Sequence, residues 1–455
     1  MSGLWSLAEA GARVGGTLVG DGEVVPAALS MDTRTLGPGS CFVAIRGQRD
    51  GHDFAPAAVA AGAGSILADH ELAVPVPQLL VPDTLAALQR WGQARLEAFR
   101  PPHVFAVTGS VGKTGTKELL AAATGAWKTP GNRNNTLGLP EALATLPAGV
   151  PAVVLEMGMS TPGEIRRLTE IAPPDLGLIT NIGQTHMENF VDGQEGIARA
   201  KGELVAGLRP GGQWVHLAGD SWCRWVAMQP WARARAVPVG RGSAFGWQDE
   251  ESLGLLGERF ELRFPGGTVP VRLRLRGSHH VRNAALAGSL AILAGYAPGA
   301  VAQAMGEVDA GPGRGRLHAL RGGGWLLDES YNAIQESILA CGRALLTLEG
   351  GDAVAVLGCM RELGPGAAAV HRETGEGLRA LGFGRVLVYG DQAQALAEGF
   401  GPGAKAFPDF ESLRDDAPGL GSIPAGARIL VKGSRFWRSE RAVEWLLETF
   451  SSGKP

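Results

Sequence analysis

Lys113 and Thr114 close the run V-T-G-S-V-G-K-T at 107–114, in which an apolar stretch enters a glycine turn. Such a turn aims backbone N–H groups at one point and sits at the positive end of the helix that follows, which makes it a cradle for phosphate. A lysine at this spacing reaches the β- and γ-phosphates of a nucleoside triphosphate, and the threonine hydroxyl helps hold Mg²⁺. Val107 stands where the strict G-x-x-x-x-G-K-[ST] pattern has its first glycine, so the signal is the shorter T-G-x-x-G-K-T, with Gly109, Ser110, Val111 and Gly112 as the loop. A chance Gly-Lys-Thr in a chain with 68 glycines is the plain alternative. The strand expected over 103–107 and the helix expected over 116–123 favour the cradle.

A phosphate cradle does not name a reaction, and three further groups narrow it. Glu156 opens E-M-G-M-S at the end of an apolar run, where a carboxylate could ligate Mg²⁺ directly or through water. His186, in T-N-I-G-Q-T-H-M-E-N-F, follows another such run and could add a ligand, the alternative being an ordinary loop histidine. Lys201 lies in A-R-A-K-G-E-L on an expected helix between Gly196 and Leu208; a solvated surface lysine is its bland reading. Near the other end, D-E-S-Y-N-A at 328–333 and K-G-S-R at 432–435 both follow apolar runs and should face a crevice.

The elements that must position these groups read as α/β. Residues 152–155 and 176–180 are short apolar runs of the buried parallel-strand type, and ligands in open α/β sheets gather beyond the carboxyl ends of such strands. Before them, 40–45 and 65–68 read as strands and 54–61 as a helix; Arg100-Pro101-Pro102 reads as a stiff linker. Phe260, Leu262 and Phe264 alternate, as do Val269, Val271 and Leu273, around Pro265-Gly266-Gly267, which predicts a hairpin with one buried face. A helix is expected over 284–294 and a boundary over 311–315. Runs at 325–327, 353–357, 386–389 and 429–431 predict a further Rossmann-like unit. No G-x-G-x-x-G follows a strand there, which argues against a dinucleotide redox cofactor. The five tryptophans from Trp214 to Trp247 read as packing.

At 455 residues the chain is too long for one core, and its 45% apolar and 19% charged content is that of an ordinary globular protein. A net charge of −3 gives no basic field for nucleic acid, and no apolar run approaches the roughly 20 residues that span a bilayer. The start, M-S-G-L-W, has no basic n-region, and the four scattered cysteines read as free thiols of a reducing cytoplasm. Seven lysines stand against 42 basic residues in all, and the seven asparagines all fall between 132 and 332. Lysines and asparagines kept against such a bias invite a functional reading, although asparagines also mark turns.

Taken together, T-G-S-V-G-K-T, G-N-R-N-N-T-L-G-L-P at 131–140, L-E-M-G-M-S at 155–160, T-N-I-G at 180–183, A-K-G-E at 200–203, G-S-H-H-V-R-N-A at 277–284, D-E-S-Y-N-A and K-G-S-R resemble, in this order, the Mur ligase family. These are ATP-dependent amide-bond ligases of peptidoglycan synthesis, and the resemblance covers nearly the whole chain. M-D-T-R at 31–34 and G-Q-R-D-G-H-D-F at 47–54 are similar to the UDP-sugar-binding domain of the branch that adds a dipeptide and of its relative that adds the third peptide residue; L-E-M-G-M-S and K-G-S-R favour the former. The resemblance implies ATP and Mg²⁺ as cofactors, UDP-N-acetylmuramoyl-tripeptide and D-alanyl-D-alanine as substrates, and an acyl-phosphate intermediate. A cytoplasmic monomer is expected. Three α/β domains are expected: 1–98 for the UDP-sugar, 99–312 as a P-loop-type mostly parallel ATPase domain, and 313–455 as a Rossmann-like ligase domain.

Carried over, the resemblance gives Lys113 and Thr114 to ATP phosphates and Mg²⁺, Glu156 and His186 to the metal, and Lys201 to a CO₂-derived carbamate that ligates it. Asn132 and Asn135 would contact phosphates or substrate, Asn283 the adenine, and Arg316 the phosphate side, with Asp328, Tyr331 and Asn332 nearby. Thr33, Arg34, Gly47, Asp50 and His52 would hold the UDP-sugar, and Lys432 and Arg435 the substrate from the last domain. The chain departs from the family pattern at Glu329 (usually Asp, with Asp328 as a possible substitute), at Ile334-Gln335 (usually Asn-Pro), at His280 (usually Asn), at Thr185 (usually Ala) and at Cys359 (usually Asp). Alternative readings are another Mur ligase, a folylpolyglutamate synthase-like ligase, or a weakly catalytic nucleotide-binding paralogue. A GTPase switch lacks its N-K-x-D motif here.

Overall fold

Four sheets organise the chain in a computed structural model that describes residues 4–321, 323–416, 423–424 and 426–451. The first three residues of the M-S-G-L-W start lie outside the described part.

The first sheet joins β1 (Thr17–Val19), β2 (Leu29–Ser30), β3 (Cys41–Val43), β4 (Ser65–Ala68) and β5 (Gln78–Leu80) in the order β1-β5-β4-β3-β2, with β1 antiparallel to its neighbour and the others parallel. Separate apolar clusters cover its two faces, one around Leu67, Leu79 and Trp91, the other around Phe42, Ile66 and Ala58.

The second sheet is all parallel: β6 (His103–Thr108), β7 (Trp127–Lys128), β8 (Ala152–Glu156), β9 (Leu176–Ile179), β10 (Gln213–Leu217) and β11 (Arg235–Val239), ordered β11-β10-β9-β6-β8-β7. β6 lies between β8 and β9, so the three loops that leave these strands open side by side, the position in which open α/β sheets bind ligands. Strand residues buried on both faces explain why these segments read as continuous apolar runs and not as alternation. One face packs on the helix Ser278–Leu293 and on an antiparallel meander of β12 (Gly246–Ser252), β13 (Glu258–Phe264) and β14 (Gly267–Leu273). The opposite face packs on the helices Gly138–Ala144, Glu164–Ile171 and Gly193–Ala206.

The hairpin read from alternation is β13 and β14; β12, with few buried residues and a register shift between Gln248 and Glu251, carries too weak a period to stand out. The Arg100-Pro101-Pro102 segment is pinned and does not act as a loose tether: Arg100 donates to Asp175 at 2.8 Å. Just before it the helix Thr84–Ala98 packs so closely on Gly138–Ala144 that a Cβ on Gly92 would lie 2.6 Å from the Pro140 carbonyl.

The fourth sheet has β15 (Arg316–Ala319), β16 (Trp325–Glu329), β17 (Ala353–Gly358), β18 (Arg385–Tyr389), β19 (Ala404–Phe407) and β20 (Arg428–Lys432) in the order β15-β16-β20-β17-β18-β19, parallel except for β15. Apolar clusters cover both faces. The two strands not foreseen, β15 and β19, are the edges, where one side faces solvent and the apolar run is broken by charge.

Candidate functional site

β6 ends in Thr108, and the chain then turns through Gly109 at φ +148° and Gly112 at φ +81° before the helix Lys113–Thr124 begins. A side chain at Gly109 is excluded twice, by the positive φ and by Thr180 beyond β9, whose Oγ1 would lie 1.8 Å from an added Cβ. Asn181 takes the loop from below, its Oδ1 accepting the N–H groups of Ser110 at 3.1 Å and Val111 at 3.0 Å. The first turn of the helix keeps N–H groups without intrahelical partners and the positive end of its dipole. Lys113, half-buried, folds back to donate to the Gly109 carbonyl at 2.7 Å and the Ser110 carbonyl at 3.3 Å. Burial holds its pKa below the ordinary lysine value, Glu156 opposing.

Parallel register sets Glu156 of β8 against Val107 of β6. Its buried carboxylate accepts the Thr114 hydroxyl at 2.8 Å on one oxygen and the Asn134 amide at 2.8 Å on the other. Lys117, one turn along the helix, is fully buried 3.6 Å from Glu156 and donates to the carbonyls of Thr129 at 2.9 Å and Gly131 at 2.8 Å. Lys201, on the helix Gly193–Ala206, is 2% exposed; burial first and the Lys113 charge second push its pKa well below the usual lysine range. His186 sits in the turn after β9 with its Nδ1 in ion-pair contact with Glu362 of the fourth-sheet unit, and that contact holds the Glu362 carboxyl below its ordinary pKa. Thr185, the neighbour of His186, donates to the Ser110 hydroxyl at 3.2 Å.

Other expected residues are placed differently. Asn135 caps the helix Gly138–Ala144 through the Gly138 N–H at 2.8 Å, and Asn132 is exposed. Asn134 is thus the member of this N-R-N-N run that touches Glu156; it and Lys117 escaped the sequence reading as site residues, their signal being scarcity of their residue type, whereas Asn181 follows a strand end where a site was expected. Asn283 lies under the loop, its Oδ1 2.8 Å from where a Gly112 Cβ would be. Arg316 is exposed on β15, opposite Asp328. Two residues earlier, Arg314 stacks 3.7 Å over Tyr331, and its charge reaches both Lys113 and Lys432.

Asp328 is occupied by the Gly313 N–H at 3.0 Å and the Ser330 hydroxyl at 2.6 Å. Glu329, on the other face of β16 as strand alternation requires, meets buried Lys432 at 3.2 Å. The longer acid at 329 therefore makes the strand-end ion pair by itself, and Asp328 does not substitute for it. Asn332 is exposed with its Oδ1 on the Ala333 N–H at 2.9 Å, and Arg435 pairs with Glu440 at 3.0 Å. His280 is buried with both ring nitrogens unpartnered, and burial pushes its pKa down. Cys359 is buried and pushed up to about 12.

In the first-sheet unit, buried His52 is bracketed by Asp50 at 2.5 Å and the Asp69 N–H at 3.1 Å. Arg46 bridges Asp69 at 2.6 Å and also pairs with Asp50. Gly47 donates to the Arg49 carbonyl at 3.1 Å in the same turn. Thr33 and Arg34 lie in the turn after β2, where exposed Arg34 is held by Asp32 at 2.6 Å.

Comparison with known proteins places these features in a family. Residues 107–291 match the Mur ligase middle domain and residues 313–435 the Mur ligase, glutamate ligase domain. The chain is 35% identical to the UDP-N-acetylmuramoyl-tripeptide--D-alanyl-D-alanine ligase of Escherichia coli (strain K12), over 92% of this chain and 94% of that one. It superposes on a crystal structure of MurF from Acinetobacter baumannii with a TM-score of 0.88 at 29% identity, covering 98% and 99% of the two chains. A MurF ligase from Thermotoga maritima in complex with ADP gives 0.80 at 27% identity, covering 94% and 98%.

Proposed function

The chain belongs to the Mur ligase family, and we infer that it is the ATP-dependent ligase joining D-alanyl-D-alanine to UDP-N-acetylmuramoyl-tripeptide. Its product is the UDP-linked pentapeptide precursor of peptidoglycan. The observation that carries this reading is the gathering of Lys113, Thr114, Glu156 and buried Lys201 beyond β6 and β8, with Arg314 of the last unit within charge range of Lys113.

A carboxylate has no good leaving group, so it does not condense with an amine in neutral water. ATP supplies one: the tripeptide's terminal carboxylate attacks the γ-phosphorus, ADP leaves, and an acyl phosphate remains. The amine of D-alanyl-D-alanine attacks the acyl carbon and inorganic phosphate departs. The protein's tasks are alignment and charge neutralisation, which is what phosphoryl transfer asks of an enzyme. Lys113 lies against the loop carbonyls, poised to turn onto the phosphates. Asn283, beside Gly112 of the loop, would contact the adenine in this reading. Tyr331 and Asn332 approach from the last unit, whose closure keeps water from the acyl phosphate.

The donor set fits Mg²⁺. The Thr114 hydroxyl and Glu156 carboxylate are hard oxygens that already meet each other, and such ligands in small number suit Mg²⁺ beside phosphates. His186 completes the set in this reading. As an ammonium Lys201 could not ligate, but its neutral amine, favoured by burial, can attack CO₂; a C–N bond forms, a proton leaves, and the carbamate offers oxygen. Bound Mg²⁺ would offset charge on the transferring phosphoryl group.

The first unit, 1–98, holds the UDP end through Thr33, Arg34, Gly47, Asp50 and His52; 99–312 holds ATP; 313–455 closes over both, with Lys432 and Arg435 toward substrate. Separate apolar clusters support the division at 312/313, whereas at 98/99 the clusters interlock, Ala144 lying in the first unit's cluster and Leu96 in the middle unit's. The cytoplasm suits four buried free thiols, and no described helix is long and apolar enough to cross a membrane. We take the enzyme to act as a monomer.

Phosphate release by the pure protein should require both UDP-muramoyl-tripeptide and D-alanyl-D-alanine. Turnover unchanged on omission of the dipeptide would refute the assignment.

A further inference from the structure

Two turns from different units meet beside the nucleotide loop, and both are built in left-handed backbone. His186 has φ +59° and Glu362 φ +63°, two of the four described non-glycine residues with positive φ. Such residues persist where their surroundings hold them, and they collect at functional contacts. Here the two strained residues face one another: His186 Nδ1, shut off from water and with no hydrogen-bond partner among the described residues, has the Glu362 carboxylate in close charge contact. The backbone of the two turns is also close, since a Cβ on Gly364 would lie 3.8 Å from the Glu188 Cα. On the other side, Thr185 ties the His186 turn to Ser110 of the phosphate loop at 3.2 Å. A line of contact therefore runs from the loop through Thr185 and His186 to the last unit.

We propose that Glu362 is a positioning residue for His186: carried in by the last unit as it closes, its carboxylate holds the imidazole by Nδ1 and leaves Nε2 as the nitrogen free to ligate a divalent cation. The proposal rests on the reading of His186 as a metal ligand. A histidine ligand is oriented by what its other nitrogen meets, and a carboxylate there also raises its strength as a ligand. Here the orienting group belongs to another structural unit. The metal site is then complete only in the closed arrangement, so cation binding and closure favour one another by linkage. Exposed ion pairs contribute little to stability, and the Glu362 side chain is 49% exposed, so the variants should fold and stability is not the readout.

The test is Mn²⁺ binding, followed by the loss of free-ion electron paramagnetic resonance signal, in the full chain saturated with a β,γ-methylene ATP analogue. Glu362→Ala should raise the Mn²⁺ dissociation constant by about tenfold or more. Glu362→Gln, which keeps an acceptor oxygen, should recover part of that. In a His186→Ala background Glu362→Ala should have no further effect. Unchanged affinity in Glu362→Ala with weakened affinity in His186→Ala would overturn the proposal and leave His186 as a ligand. Unchanged affinity in both would remove the ligand reading as well. Equal weakening by Glu362→Ala with and without His186 would show that Glu362 acts elsewhere, and would also overturn it.

Discussion

Lys201 concentrates the residue-scale chemistry, because its burial opposes the charge that every exposed lysine carries. Its pKa is lowered by burial and by Lys113, so the folded chain binds a proton there less readily than the unfolded chain, whose lysine titrates near 10.5. The unfolded state therefore holds more protons between the lowered folded value and 10.5, and stability must rise with pH through that window. In bicarbonate-free buffer, Lys201→Met should flatten the rise: chemical unfolding at pH 7 and pH 10 would show a smaller difference for the variant than for the parent. An unchanged slope would mean that the lysine is not desolvated in solution. For catalysis, Lys201→Ala should lose nearly all activity, and millimolar formate should restore part of it by placing a carboxylate in the vacated cavity. Full activity without formate would exclude the carbamate role.

At the scale of elements, the site is a property of strand ends. β6 and β8 end in Thr108 and Glu156, and β9 is followed at once by Thr180 and Asn181, because a buried parallel strand tolerates polar residues only where it leaves the sheet. At Gly109 the end of β6 meets that of β9. Gly109→Ala combines a backbone conformation that L-residues rarely adopt with a Cβ 1.8 Å from Thr180 Oγ1. A loss of about 2 kcal/mol or more is expected, with nucleotide affinity falling more steeply than stability. Thermal unfolding and a fluorescent-nucleotide titration would check both; normal affinity in the variant would show that the loop reshapes at little cost. The same logic of strand ends explains Glu329 and Lys432, which parallel register places side by side on β16 and β20.

For the molecule as a whole, apolar clusters on separate sheets argue against a single cooperative transition. Calorimetry should resolve more than one transition, and ADP with Mg²⁺ should shift upward the one belonging to the middle sheet, as a ligand of the folded form must. The first unit should unfold close to the middle one, since the helix Thr84–Ala98 is packed on Gly138–Ala144 with backbone contact at Gly92. One sharp transition with no nucleotide shift would refute this division.

The sequence by itself determined the α/β class, the strand–turn–helix around Lys113, the strand that ends in Glu156 and the hairpin of β13 and β14. Each of these is dictated within a few residues, by apolar runs, alternation or a glycine that must take positive φ. Only the tertiary structure decided which member of a motif turns inward: Asn134 and not its neighbours on Glu156, Arg314 and not Arg316 toward Lys113, Glu329 and not Asp328 on Lys432. It likewise decided that Lys117 is buried beneath the loop and that Glu362 reaches His186. Such choices depend on strand register, on the face a residue takes, and on contacts between segments far apart in the chain, and no local pattern encodes them.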